Sequence, residues 1–180
     1  MVKRRKNGSL FLFIISCATL ALGVFFIVDI FDNFMAAIMV FAAAMLVIGV
    51  AYLAFYSLSP GVMTAEWPII EGLTDVLLAI VLFMSMNTAK TDMILYILSI
   101  WALAGATSRV ATSLKLSKNV KRQAFFNAGA CLVAAIVIAG LTIFTQFPPQ
   151  IIAGAGIIIY SFGSFVSPRR AFFPKSKQFA

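Results

Sequence analysis

Six long apolar stretches dominate this 180-residue sequence. Each is close to the roughly 20 residues that an α-helix needs to cross about 30 Å of bilayer hydrocarbon. Backbone N–H and C=O groups find no water there, so such stretches form helices whose hydrogen bonds are internal. We predict spans at about residues 9–31, 34–57, 66–87, 92–114, 124–145 and 149–167. The predicted fold class is all-α, an integral membrane six-helix bundle that forms a single transmembrane domain over residues 1–180.

The composition agrees with this interpretation. Hydrophobic residues make up 62% of the chain and charged residues 11%, and the mean hydropathy is +1.03. Soluble domains are only about half apolar. The connections between the predicted spans are too short for a soluble domain, so any function must lie within the bundle or at its rims.

The basic residues predict the orientation of the chain. The formal net charge is +8, and most of it comes from three clusters: residues 3–6, residues 115–122 and residues 169–177. An even number of spans places all three clusters on one side, with Lys90 on the other. By the positive-inside rule both termini are cytoplasmic. We expect the basic clusters to contact anionic lipid headgroups, and we expect no nucleic-acid partner.

The sequence offers few groups for metal or cofactor chemistry. It contains no histidine, which excludes Cys/His zinc sites, His-based triads and haem ligation by His. Cys17 and Cys131 lie within predicted spans and are expected to be small packing residues. Asp29 and Asp32 are expected to cap the turn between spans one and two, because no further acid cluster could complete an oxygen cage. We therefore expect no metal, no cofactor and no enzymatic activity.

The N-terminus leaves one alternative open. The KRRK segment followed by an apolar run resembles a signal peptide, and IISC at residues 14–17 resembles a lipoprotein cleavage site. Apolar character continues to Phe31, which is longer than a signal peptide's apolar region and favours a spanning helix.

Glycines recur at a regular spacing. Gly49 and Gly105 are 56 residues apart, Gly72 and Gly129 are 57 apart, and Gly105 and Gly163 are 58 apart. This spacing predicts three tandem transmembrane helical hairpins, all entering the membrane with the same orientation and related by an axis along its normal. These five glycines are predicted helix-packing positions. The alternative is that they are merely small residues compatible with a bilayer.

Span three contains two acids within the run IIEGLTDVLLAIVLF, residues 69–83. Each acid near the centre of a span costs about 2.5–3.5 kcal/mol, whereas each Leu, Ile, Phe or Val returns only about 0.3–0.6 kcal/mol. Glu71 and Asp75 should therefore make this span a marginal inserter on its own. We expect both side chains to face protein or water.

Arg109 is the expected partner of Glu71. Counting inward from the cytoplasmic ends of spans three and four places Glu71 and Arg109 at equal depth. Opposite charges at equal depth on adjacent helices predict an ion pair. The wider prediction is an intramembrane polar network of Glu71, Asp75, Arg109, Thr107 and Ser108. Snorkelling of Glu71 to the cytoplasmic interface is the alternative.

Asp75 lies one turn deeper and has no basic residue at its own depth. Burial without such a partner favours the protonated carboxyl, which makes Asp75 the best proton-sensing candidate in the chain. The alternative is an ordinary hydrogen bond from Ser or Thr on a neighbouring helix. Trp101, about midway along span four, must either face lipid or pack inside the bundle.

The central hairpin also resembles a known family. EWPIIEGLTDVLLAIVLFMSM and ILYILSIWALAGATSRV are similar to the central hairpin of the HdeD-like acid-resistance membrane proteins of bacteria. The matching positions are Trp67, Gly72, Gly105 and Arg109. This resemblance implies a six-span inner-membrane protein associated with survival of acid or other stress. The chain departs from the family in carrying Glu71 and Asp75 together.

Three functional hypotheses follow. The first is a non-enzymatic bacterial inner-membrane protein linked to acid or envelope stress tolerance. The second is a small proton or solute channel or transporter that uses Glu71, Asp75 and Arg109. The third is an accessory subunit of a membrane complex, which would bind a partner protein or a second copy of the chain.

Overall fold

The computed structural model describes residues 2–28, 33–58, 67–86, 88, 90–114, 118–144 and 146–166. Within these ranges the protein is all-helical, with six α-helices and no strand. The helices are α1 Val2–Ile27, α2 Phe34–Leu58, α3 Trp67–Ser85, α4 Thr91–Leu114, α5 Lys118–Phe144 and α6 Pro149–Val166.

The helices match the predicted spans closely at most of their ends. The exceptions are α1 and α5, which begin at Val2 and Lys118 and so extend ahead of the predicted starts at 9 and 124. Both extensions are rich in Lys and Arg, which are good helix formers and can leave the hydrocarbon for the headgroup region. The helix α1 ends at Ile27, and residues 29–32, including Asp29 and Asp32, lie outside the described residues.

Local chemistry explains two of the helix starts. Asn33 precedes α2, and its Oδ1 accepts a hydrogen bond from the backbone N–H of Met35 at 2.9 Å, as an N-cap residue does. Pro149 is the first residue of α6, where its missing N–H costs nothing.

Four helices in the described part of the chain are long and apolar enough to cross a membrane. These stretches are Leu10–Ile27, Phe34–Leu58, Thr91–Ala111 and Ala124–Phe144. The apolar part of α6, Pro149–Gly163, is shorter, and α3 contains the two acids. The protein therefore has at least these four membrane-span-like helices. The predicted count of six also requires α3 and α6 to cross the membrane.

Most helices adjacent in the chain pack against each other, and α6 closes the bundle by packing on α1. The closest packing joins α2 to α3, α4 to α5, and α6 to both α1 and α5. The contact between α3 and α4 is smaller, and α1 meets α2 only marginally. Of the three predicted hairpins, only the α5–α6 pair has its two helices closely packed against each other.

Charged side chains are buried inside the bundle, and many large apolar side chains are exposed on its outer surface. Met84 is 76% exposed and Phe144 is 84% exposed, whereas Glu71, Asp75 and Arg109 are 4%, 2% and 4% exposed. Water-soluble proteins have the opposite distribution. Together with the four apolar helices, this distribution indicates a membrane-embedded protein, because lipid solvates the apolar surface and the polar groups pair internally.

Two of the predicted packing glycines, Gly49 and Gly72, face each other across the α2–α3 interface. A Cβ on Gly49 would lie 2.6 Å from the Gly72 carbonyl oxygen, and a Cβ on Gly72 would lie 2.9 Å from the Gly49 carbonyl oxygen. The two backbones approach so closely that neither position has space for a side chain. This is the small-residue packing expected between membrane helices.

The other three predicted packing glycines behave differently. A Cβ on Gly105 would meet the Tyr160 ring at 2.9 Å, and a Cβ on Gly163 would clash with Cβ of Ala130, so both lie at helix contacts. The prediction for Gly129 is wrong, because among the described residues no atom beyond its own stretch of helix lies within 4 Å of a Cβ built there. Gly129 is exposed on the outer side of α5, where an apolar groove separates it from α4.

Candidate functional site

Arg109 is the centre of a buried polar network. Its Nη2 donates to Glu71 Oε1 and, at 3.2 Å, to Tyr160 Oη. Its Nη1 donates to Asn127 Oδ1 at 2.7 Å and to Cys131 Sγ at 2.6 Å. A single side chain on α4 thus binds residues of α3, α5 and α6. Such a fork of donors is what distinguishes arginine from lysine.

Glu71 forms the predicted ion pair with Arg109. Its Oε1 also accepts a hydrogen bond from Tyr160 Oη at 2.5 Å. Its Oε2 is buried and has no hydrogen-bond partner among the described residues. Glu71 is only 4% exposed, so its side chain does not snorkel to the interface. Its charged partner is Arg109.

Asp75 is paired with an aromatic side chain. The Trp101 Nε1–H donates to Asp75 Oδ1 at 2.8 Å, so the partner is an indole and not the Ser or Thr hydroxyl considered from the sequence. Trp101 is 3% exposed and stacks on Tyr160, with ring centroids 4.3 Å apart. Trp101 therefore packs inside the bundle, and it connects Asp75 to the aromatic ring that also contacts Glu71.

The prediction that Thr107 belongs to the network is wrong. Thr107 is exposed and its hydroxyl donates to the Ala104 carbonyl at 2.9 Å. Successive helical residues are about 100° apart, so a residue two positions before Arg109 points away from it. Ser108 is buried, and its hydroxyl donates to the Gly105 carbonyl of its own helix at 3.0 Å.

Sequence reasoning missed Asn127, Cys131 and Tyr160, which accept hydrogen bonds from Arg109 alongside Glu71. None is charged, so the search for a partner by opposite charge did not find them. Asn127 and Tyr160 are polar side chains within largely apolar helices, and this is the signal that could have identified them. Cys131 was predicted to be a packing residue, and it is buried and free of any disulfide, but it also accepts the Arg109 hydrogen bond.

A small cavity lies beside the network. It offers about 10 Å³ to the centre of a water-sized sphere, which is close to the space that one buried water needs. Its polar lining is formed by Ser16, Thr19, Tyr52, Glu71, Asp75, Trp101, Tyr160 and Ser161. Hydroxyl, carboxylate and indole groups from five helices therefore surround a space large enough for one water molecule or one small ion.

The described residues include no group of three or more His, Cys, Asp or Glu side chains that could hold a metal ion. The basic residues 115 and 169–177, predicted to contact lipid headgroups, lie outside the described residues.

No protein-family model, curated protein or solved structure matches this chain. The resemblance to the HdeD-like proteins thus stays a prediction from the quoted segments. The function has to be argued from the buried network and its cavity.

Proposed function

We propose that this protein is a non-enzymatic, multi-pass protein of the bacterial inner membrane that supports tolerance of acid or envelope stress. The observation that supports this function best is the network on Arg109, which ties α3, α4, α5 and α6 together through Glu71, Asn127, Cys131 and Tyr160. Buried charges of this kind are costly to leave unpaired. The network therefore keeps the bundle assembled in a membrane exposed to an acidic exterior.

The size of the cavity favours this role over solute transport. A space that accommodates about one water molecule is too small for an organic solute. The protein acts through the stability of its bundle, in keeping with the HdeD-like resemblance of the segments around Glu71 and Arg109.

Survival under acid challenge tests the proposal. Cells that lack the protein should survive acid exposure less well than cells that carry it. Complementation with the native protein should restore survival, and complementation with Arg109→Met should not. Thr107→Val is the matched control, because Thr107 lies on the same helix but outside the network. Equal survival of the Arg109→Met and native strains, at equal amounts of membrane-inserted protein, would overturn the proposal.

Proton conduction is the second candidate, and a specific observation favours it: Glu71 and Asp75 both line the cavity. Carboxyl groups beside a water-sized space are the elements of a proton relay. Proteoliposomes with a pH-sensitive dye inside should then acidify when the outer pH is lowered. Loss of this flux in Asp75→Asn, with Thr107→Val unchanged, supports conduction. Flux equal to that of empty vesicles eliminates it.

For the topology, we propose six spans arranged as three like-oriented hairpins, with both termini cytoplasmic. The close packing of α2 on α3, of α4 on α5 and of α6 on α1 supports this arrangement, because each pair joins the second helix of one predicted hairpin to the first helix of another. Single cysteines at Lys90 and Lys121, in a Cys17→Ala, Cys131→Ser background, should label from opposite sides. Labelling of both from one side would reject the arrangement.

A further inference from the structure

Three hydroxyl groups that line the cavity beside the ion pair have their hydrogens already engaged. The hydroxyls of Ser16, Thr19 and Ser161 donate to the carbonyl oxygens four residues earlier in their own helices, at 2.9, 2.9 and 2.7 Å. A hydroxyl has one hydrogen to donate and two lone pairs. These three side chains can therefore present only lone pairs to the cavity.

Two neighbouring donors are engaged in the same way. Trp101 gives its single N–H to Asp75, and Tyr160 gives its O–H to Glu71. An anion would need donors that these groups no longer offer. A ligand that carries positive charge on its surface matches such a lining of acceptors.

The charge of the surrounding groups points the same way. Glu71 and Asp75 are two carboxyl groups and Arg109 is one guanidinium, so the cluster carries one excess negative charge when both carboxyls are ionised, and either a proton on Asp75 or a bound cation removes that charge. Glu71 Oε2 is buried without a hydrogen-bond partner in the part of the chain that the structure describes. An uncompensated charge in a medium of low dielectric constant is costly. The other titratable side chains around these three are Tyr52, Cys131 and Tyr160, all neutral when protonated.

We propose that this cavity binds one monovalent alkali cation no larger than a water molecule, for which Na⁺ is the probe. Carboxylate and hydroxyl oxygens are the ligands that hard cations prefer. Glu71 and Asp75 supply the charge, and Ser16 and Thr19 supply neutral oxygens from α1. The site would join α1 to α3, two helices without close contact of their own. This inference is independent of the proposed stress role.

Trp101 reports on the site, because it donates to Asp75 and stacks over Tyr160. Trp67→Phe leaves Trp101 as the single tryptophan. The full chain in nanodiscs is titrated with NaCl replacing choline chloride, at constant ionic strength and constant pH. We expect a saturable change in Trp101 fluorescence and a rise in Tm with Na⁺.

Variants locate the site. Thr19→Val removes one ligand oxygen at nearly constant volume and should weaken Na⁺ binding by about tenfold, the usual effect of losing one interaction with a charged group. Asp75→Asn should abolish the response. Ser113→Ala is the control, because Ser113 is equally buried and bonds within its own helix, to Val110 at 2.7 Å, but does not line the cavity.

Three results would overturn the proposal. One is an identical signal with Na⁺ and choline. A second is an unchanged midpoint in Thr19→Val, which remains decisive if Asp75→Asn does not fold. The third is a signal that follows pH at constant Na⁺ but does not respond to Na⁺ at constant pH, since this assigns the cavity to a proton.

Discussion

Two helix interfaces that repeat each other in the sequence are built differently in the structure. Gly49 and Gly72 lie in α2 and α3, and residues 56 and 57 positions later, Gly105 and Gly129, lie in α4 and α5. The first pair meets backbone to backbone. In the second pair, Gly105 packs on Tyr160 of α6, and a Cβ on Gly129 would meet no other helix in the part of the chain that the structure describes. Equal spacing along the chain therefore does not imply equal contacts in space.

Polar bonds replace the glycine contact at the second interface. Arg109 of α4 donates to Asn127 and Cys131 of α5, whereas the α2–α3 interface relies on the close approach of two backbones. The α2–α3 interface should therefore be sensitive to added volume, and the α4–α5 interface to lost hydrogen bonds. Four substitutions test this contrast, and the free energy of unfolding in mixed micelles is the measured quantity for each.

The largest effect is expected for Arg109→Met. It removes the charge and leaves Glu71 buried without its partner, which typically costs about 3–5 kcal/mol. The double variant Glu71→Gln, Arg109→Met should lose less than the sum of the two single variants, because the stranded charge is gone. Strict additivity of the two losses would show that the pair does not act as a unit.

Gly72→Val should destabilise the protein by about 3 kcal/mol, at the upper end of what overpacking costs. The new Cβ would meet the Gly49 carbonyl oxygen at 2.9 Å and Cβ of Tyr52 at 2.9 Å, and neither is the far end of a flexible side chain. SDS titration followed by circular dichroism measures the loss. A neutral result would mean that α2 and α3 can separate without cost.

Asn127→Leu should cost about 1.5–3 kcal/mol, the usual value for a hydrogen bond to a charged group. The change preserves the approximate size of the side chain and removes one acceptor from Arg109. Its matched control is Leu132→Met on the same helix, at a position that is 44% exposed on the outer surface, where the change adds no polar group. If Asn127→Leu were neutral, the α4–α5 interface would not depend on its polar bond.

Gly129→Ala should have the smallest effect, and it should stabilise the protein instead of destabilising it. Nothing obstructs a Cβ there, and alanine is favoured over glycine within helices by about 0.5–1 kcal/mol. Gly49→Ala is the paired variant, with its Cβ only 2.6 Å from the Gly72 carbonyl oxygen, and it should be destabilising. Equal effects of the two alanine variants would erase the distinction between the interfaces.

Much of the secondary structure could be predicted from the pattern of residues. Apolar runs of membrane-crossing length indicate helices without reference to neighbours, and α2, α3, α4 and α6 begin and end close to the predicted positions. The Glu71–Arg109 pair was also predictable, because both are charged and counting along two antiparallel helices places them at equal depth. The first residues of α1 and α5 were less predictable, because Lys and Arg extend both helices ahead of the apolar run.

The rest of the site depends on rotations and neighbours that the pattern does not contain. Thr107 and Arg109 lie two residues apart, yet only Arg109 faces the network, because the helix turns by about 200° between them. Trp101 could have faced lipid, but it stacks on Tyr160. That contact depends on where α6 lies, which the residue pattern of α4 does not contain. Asn127 and Cys131 become partners of Arg109 only once α5 is placed beside α4.

The amino-acid sequence by itself determined that this chain forms apolar helices and that its few deep ions must pair within the protein, since lipid solvates side chains according to polarity alone. The tertiary structure decided which helices touch, which glycine is covered and which side chains surround Arg109. These outcomes depend on the rotation and tilt of each helix. Both are set by the packing of all six helices together, and no single segment contains that information.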